Sequence, residues 1–168
     1  MDSLPKRKPN RLKSWNYDND GAYFITICVK DRKQILSKIC VGGDDPGALY
    51  VELTPYGYIV DKNIKTMNCI YSNIKITDYV IMPNHIHCII HIKNNGRSGT
   101  PAPTRGNSAV PRFVSTLKRF CNKEYGMNIW QRSYYDHIIR NEADYIEKWN
   151  YIETNPVKWS EDEYYSAC

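Results

Sequence analysis

The sequence has no long hydrophobic run. Its densest apolar stretch, around Cys88 to Ile90, falls far short of the ~20 residues that a membrane-spanning helix needs. The opening MDSLPKRKPNRLKSW lacks the apolar centre of a secretory signal. No membrane partner is expected. The 6 cysteines (Cys28, Cys40, Cys69, Cys88, Cys121 and Cys168) include no C-x-x-C pair, which excludes a zinc ribbon or a dithiol redox motif. Reduced thiols and a cytoplasmic location are the expectation. No internal repeat is present, so a solenoid is excluded. Phenylalanine is scarce as well: 3 Phe stand against 14 Tyr and 4 Trp. Tyrosine combines a flat apolar body with a polar tip, which suits stacking at a wet surface as well as packing.

What is present is an ordinary globular chain of 168 residues, 42% hydrophobic and 24% charged, long enough for one domain with a core. The net charge of +5 favours an anionic partner such as nucleic acid. Basic residues gather in two places. Lys6, Arg7, Lys8, Arg11 and Lys13 lie close together in a polar segment that Pro5 and Pro9 keep from forming a helix. Arg112, Lys118, Arg119 and Lys123 surround an apolar helical stripe of Phe113, Val114, Leu117, Phe120 and Cys121. Both sets are candidate contacts to DNA phosphates. Three parts follow: a basic arm over 1–20, one globular domain over 21–160 with a flexible loop at about 94–109, and a tail over 161–168.

The β-branched and aromatic run Tyr23 to Lys30 predicts a strand, and LYVELTP a second, short one. Ile59, Val60, Ile64, Met67 and Ile70 recur at helical spacing, so a helix is predicted from Tyr56 to about Ile70. IKITDYVIMP and HIHCIIHI flank a Pro-Asn turn and should pair as a hairpin. WQRSYYDHIIRN reads as irregular. A last helix should run from near Asn141 to Asn155, where Pro156 stops it. The fold class is α+β: one antiparallel sheet with helices packed on it, of ferredoxin-like type.

Strand side chains alternate between faces, so His85, His87 and Ile89 share one side and Ile86, Cys88 and Ile90 the other. Two imidazoles about 7 Å apart at the backbone can converge on one ion. The same pair also fits the polar face of a half-buried strand. Histidine with an amide oxygen suits Mg2+ or Mn2+. On the last helix, Tyr151 and Asn155 lie one turn apart on one face. By spacing alone, ordinary packing accounts for Tyr151.

VIMPNHIHCIIHI, WQRSYYDHIIRN and YIETNPVKW, in that order, resemble the three signatures of the single-tyrosine HUH transposases, and within them the REP-associated tyrosine transposase branch. The resemblance runs from AYFITICVKDR through NPVKW. It implies His85 and His87 as metal ligands, Asn155 as the amide that completes the site, and Tyr151 as nucleophile. It further implies metal-dependent cleavage and rejoining of single-stranded DNA at hairpin-flanked sites, through a 5′-phosphotyrosine, by a nucleoid-associated protein. Monomer and homodimer both occur among such relatives. His137 lies in the aromatic signature as a supporting residue, and Tyr145 is the rival nucleophile. Two other activities stay open: a domesticated hairpin-DNA-binding protein, and a phosphodiesterase that uses the His pair with water.

Overall fold

The computed structural model describes residues 20–42, 49–93 and 108–165. Four strands form one sheet in the order β4-β5-β1-β6: β1 (Gly21–Cys28), β4 (Ile74–Ile81), β5 (His85–Ile92) and β6 (Tyr135–Ile139). Every neighbouring pair is antiparallel. Helix α1 (Pro55–Ile70) precedes β4 and helix α2 (Ala109–Tyr125) precedes β6. This is the ferredoxin-like order, with helix α3 (Glu142–Thr154) added at the end.

Three strands were not anticipated correctly, one of them, over Ser37–Val41, not being foreseen at all. LYVELTP forms β3 (Leu49–Leu53), which pairs with β2 (Ser37–Val41) in a separate two-stranded ribbon and is not part of the main sheet. The fourth main strand is β6, inside the stretch read as irregular. Its five residues are too few, and its Asp136 and His137 too polar, for an alternation signal to stand out. Residues 1–19, with the basic arm, and 94–107, most of the expected loop, lie outside the described residues. Ser108 and Ala109, assigned to that loop, instead form the N-cap and first residue of α2.

The hairpin β4–β5 forms as expected, with one irregularity. The register slips between Ile76 and Asp78, leaving Thr77 as an extra residue. Ile74 and Ile76 therefore oppose Ile92 and Ile90, while Tyr79 and Ile81 oppose Cys88 and Ile86. The apolar phase of β4 changes at the bulge and stays in register with the core.

The two sides of the sheet differ. On one, Ile25, Ile27, Ile86, Cys88, Ile90 and Ile92 pack against Val60, Ile64 and Met67 of α1 and Phe113, Val114 and Leu117 of α2. Each such side chain contributes about 1.5–3 kcal/mol through burial. The other side carries a small cluster of Phe24, Ile89 and Ile152, the last from α3. Asn141 caps α3, its side chain accepting from the Asp144 amide at 2.9 Å.

Candidate active site

His85 and His87 stand on a central strand, on the side that α3 covers, and both are fully buried. Their Nε2 atoms are 2.8 Å apart. Each ring is held from behind. The His85 Nδ1 lies 2.8 Å from the Asn84 side-chain oxygen. Asn84 spends its amide hydrogens on the carbonyls of Tyr164 (2.8 Å) and Arg32 (3.3 Å). Its oxygen must therefore accept, His85 Nδ1 must carry the proton, and the His85 Nε2 lone pair points into the site. The turn bearing Asn84 is itself pinned, since Val29 N donates to Asn84 O at 2.8 Å and Leu36 N to Pro83 O at 3.0 Å. His87 Nδ1 meets Thr26 Oγ1 at 2.8 Å, and Phe24 stacks on the His87 ring with centroids 5.1 Å apart. Burial holds both imidazoles well below the usual histidine pKa, and the neighbouring His85 lowers His87 further. Neutral imidazole is the form that binds a metal.

Helix α3 brings the other groups. The Tyr151 ring lies 5.1 Å from that of His87, edge on. Its hydroxyl donates to Asp162 Oδ2 at 3.1 Å, and the Asn155 amide donates to the same oxygen at 2.6 Å. Asp162 Oδ1 accepts from the Tyr164 amide at 2.7 Å. Burial, followed by the charge of Asp162, raises the Tyr151 pKa above the ordinary phenol value. Asn155 is buried, and its side-chain oxygen has no hydrogen-bond partner among the described residues. An orphaned buried carbonyl oxygen is costly unless something engages it.

These donors fit a divalent cation. The ligand atoms of His85, His87 and Asp162 lie within 4.8 Å of one another, and the orphaned Asn155 oxygen belongs to a residue bonded to Asp162. Two neutral nitrogens with carboxylate and amide oxygens suit Mg2+ or Mn2+, leaving coordination positions for phosphate. A cleft of about 560 Å3 opens here, lined by Thr26, His87, Tyr135, Lys148, Tyr151 and Lys158 among others.

The remaining expected residues are dispersed. Tyr145 faces away from the His pair: its hydroxyl bonds Asp78 Oδ2 at 3.0 Å and its ring lies over His91. His137 Nε2 pairs with the Asp144 carboxylate at 2.8 Å, tying β6 to the first turn of α3. Arg112, Arg119 and Lys123 are exposed on α2, the helix packed on the opposite side of the sheet from Tyr151. Lys118 turns inward, its ammonium bonding the carbonyls of Gln131 (2.7 Å) and Ser133 (2.9 Å). Desolvation pushes its pKa down to about 8.

Asp162 and Asn84 were not anticipated. Asp162 falls in the stretch set apart as a tail, and it reaches the site through an irregular segment that no periodicity marks. Asn84 could have been found: it directly precedes His85 in the turn, close enough to orient the ring.

No protein-family model matches the chain. An uncharacterized protein of Haemophilus influenzae is 32% identical over 174 residues, covering 95% of this chain and 93% of that protein. A REP-associated tyrosine transposase of Escherichia coli is 32% identical over 84 residues, covering 50% of this chain and 45% of that protein. This match therefore spans less than half of the transposase. Among solved structures, a REP-associated tyrosine transposase bound to a REP hairpin superposes with a TM-score of 0.59 at 23% identity, covering 85% of this chain and 70% of that one. The fold is shared, and the motifs noted in the sequence meet in space around His85, His87, Tyr151 and Asn155. The chain is a homologue of REP-associated tyrosine transposases, whose signatures its motifs resemble and whose fold it shares.

Proposed function

We propose that this protein cuts and rejoins single-stranded DNA beside hairpins, with Tyr151 as the nucleophile and a divalent cation held by His85, His87 and Asn155 next to Asp162. One observation carries the reading: the Tyr151 hydroxyl and the Asn155 amide share Asp162 Oδ2 beside two buried imidazoles 2.8 Å apart. When bound, the cation supplies Lewis-acid neutralisation of charge on the scissile phosphate. The protein's own groups do the rest. Phe24 and His87 hold the phenol ring edge on. As the Tyr151 oxygen attacks phosphorus, its proton passes to Asp162 Oδ2. The bond from phosphorus to the 3′ oxygen breaks, and that oxygen takes a proton from water. The phosphotyrosine ester conserves the energy of the broken bond, so a second 3′-hydroxyl can reverse the step and rejoin the strands. All the side chains involved come from one chain, so a monomer contains a complete site. The proposed partner is hairpin-bearing single-stranded DNA of the bacterial nucleoid.

Incubation of the protein with a labelled hairpin-bearing single strand and Mn2+ or Mg2+, followed by denaturing electrophoresis, tests this. Wild type should carry the label covalently, and Tyr151→Phe should lose the adduct while still binding DNA. An unchanged adduct in Tyr151→Phe would move the nucleophile elsewhere. Binding by wild type without an adduct in either metal would make this a hairpin-DNA-binding protein instead.

A further inference from the structure

The cleft contains two lysines that the reaction above does not use. Lys148, Tyr151, Asn155 and Lys158 are spaced by 3, 4 and 3 residues, the repeat that puts side chains on one face of a helix. Helix α3 ends at Thr154, but its course continues: Asn155 keeps right-handed helical angles, and the Lys158 amide bonds the Thr154 carbonyl at 3.1 Å. Both lysines line the cleft with Tyr151 and His87. One stands a turn before the nucleophile and the other two turns after it.

Lys158 is exposed, whereas Lys148 is not an ordinary surface charge. The Lys148 side chain is 22% exposed, so its stem lies along the cleft wall. Its ammonium meets Glu147 at 2.7 Å, but Glu147 is 71% exposed, and such pairs exchange readily for a better anion. The other charged groups lining the cleft are Glu161, Asp162 and Glu163, all C-terminal to Lys158. The cleft volume is that of a small-ligand site, roughly 300–1,000 Å3, which fits a single strand passing through and not a duplex.

We infer that Lys148 and Lys158 form a two-ended phosphate clamp. It lays single-stranded DNA along α3, with one lysine on the phosphates at each side of the bond facing Tyr151. The clamp rests on the function proposed above, and it places substrate contacts on α3, away from the basic face of α2.

Salt titration of binding to labelled oligo(dT) tests the clamp, because that probe reads phosphate contacts without sequence or cleavage. Each lysine–phosphate contact on a single strand contributes about 0.7 to the slope of log affinity against log salt. Lys148→Gln and Lys158→Gln should each flatten the wild-type slope by about that amount, and the double variant by about 1.4. Lys148→Arg and Lys158→Arg should keep the slope. Lys38→Gln, on the exposed side of the β2–β3 ribbon, is the control and should leave it unchanged. Slopes that coincide with wild type in both Gln variants, while wild type still forms the covalent adduct, would overturn the clamp and leave the reaction standing. Absence of any adduct in wild type would instead remove the reaction on which the clamp depends.

Discussion

The two sides of the main sheet are built from the same strands and do opposite work. Under α1 and α2 the strands present isoleucines to an extensive apolar core. Under α3 the same strands present Thr26, His85 and His87, and the apolar contact shrinks to Phe24, Ile89 and Ile152. Strand β5 shows the contrast at single-residue resolution, since each step along it crosses from stability to chemistry. A polar site can be fully buried here because the opposite side supplies most of the burial free energy. Backbone pairing on both edges of β5 holds the imidazoles in place. The nucleophile, by contrast, sits on a helix joined to the sheet by few apolar side chains, so α3 should exchange its amides faster than α1 or α2.

The largest expected effect lies on the chemical side. His85→Ala or His87→Ala should reduce metal-dependent adduct formation by about a thousandfold or more, since a cation supplies several kcal/mol to the transition state. Chelation of wild type should do the same, with Mn2+ or Mg2+ restoring activity. Full activity in excess chelator would end the metal reading.

Moving three residues along β5 should exchange one phenotype for the other. Ile90→Ala, on the core side and fully buried, should cost about 2–4 kcal/mol in urea unfolding. Adduct yield well below the unfolding transition should stay close to wild type. A variant that lost adduct without losing stability would mean the two sides are not separable.

Asn84→Ala lies between these cases. It removes the acceptor that fixes the His85 tautomer, and such orienting partners are worth about 10–100-fold in metal affinity. Mn2+ titration followed by calorimetry should show that loss with secondary structure intact. The smallest effect is expected for Tyr145→Phe, which deletes one partly buried hydrogen bond to Asp78. About 1 kcal/mol of stability should go, while adduct formation persists, which also disposes of Tyr145 as the nucleophile.

Much of this contrast was legible in the sequence, because alternation and helical spacing are local. The sidedness of β5, helix α1, and the pairing of Tyr151 with Asn155 on one face follow from periods of two and 3.6 residues, while α3 was legible from its start at Asn141, its acidic first turn and Pro156. What could not be read is what distance in the chain brings together. β6 is short and polar, and its place beside β1 comes from tertiary pairing. Asp162 arrives through a turn. The basic stripe around α2 was read as a DNA surface on charge alone, yet helix packing puts it across the sheet from Tyr151 and turns Lys118 towards backbone carbonyls. The lysines flanking the nucleophile were visible at the same spacing that singled out Asn155, but their common cleft is not.

The bulge at Thr77 carries a consequence for how this family can change. Ahead of it, β4 points its even-numbered isoleucines at the core; beyond it, Asp78 and Val80 oppose Ile89 and His87 on the α3 side. Asp78 is the group that receives the Tyr145 hydroxyl, so the extra residue determines where α3 is fastened. If Thr77 instead paired into the ladder, with no bulge and the same chain length, Tyr79 and Ile81 would rotate out of the core and a carboxylate would be buried in their place. The fastening of α3 would be lost in the same event. Deletion of Thr77, by contrast, would leave Asp78 opposite Ile89 and Tyr79 opposite Cys88 in an unbroken ladder, so both substitution and loss of this one residue should be found among functional descendants.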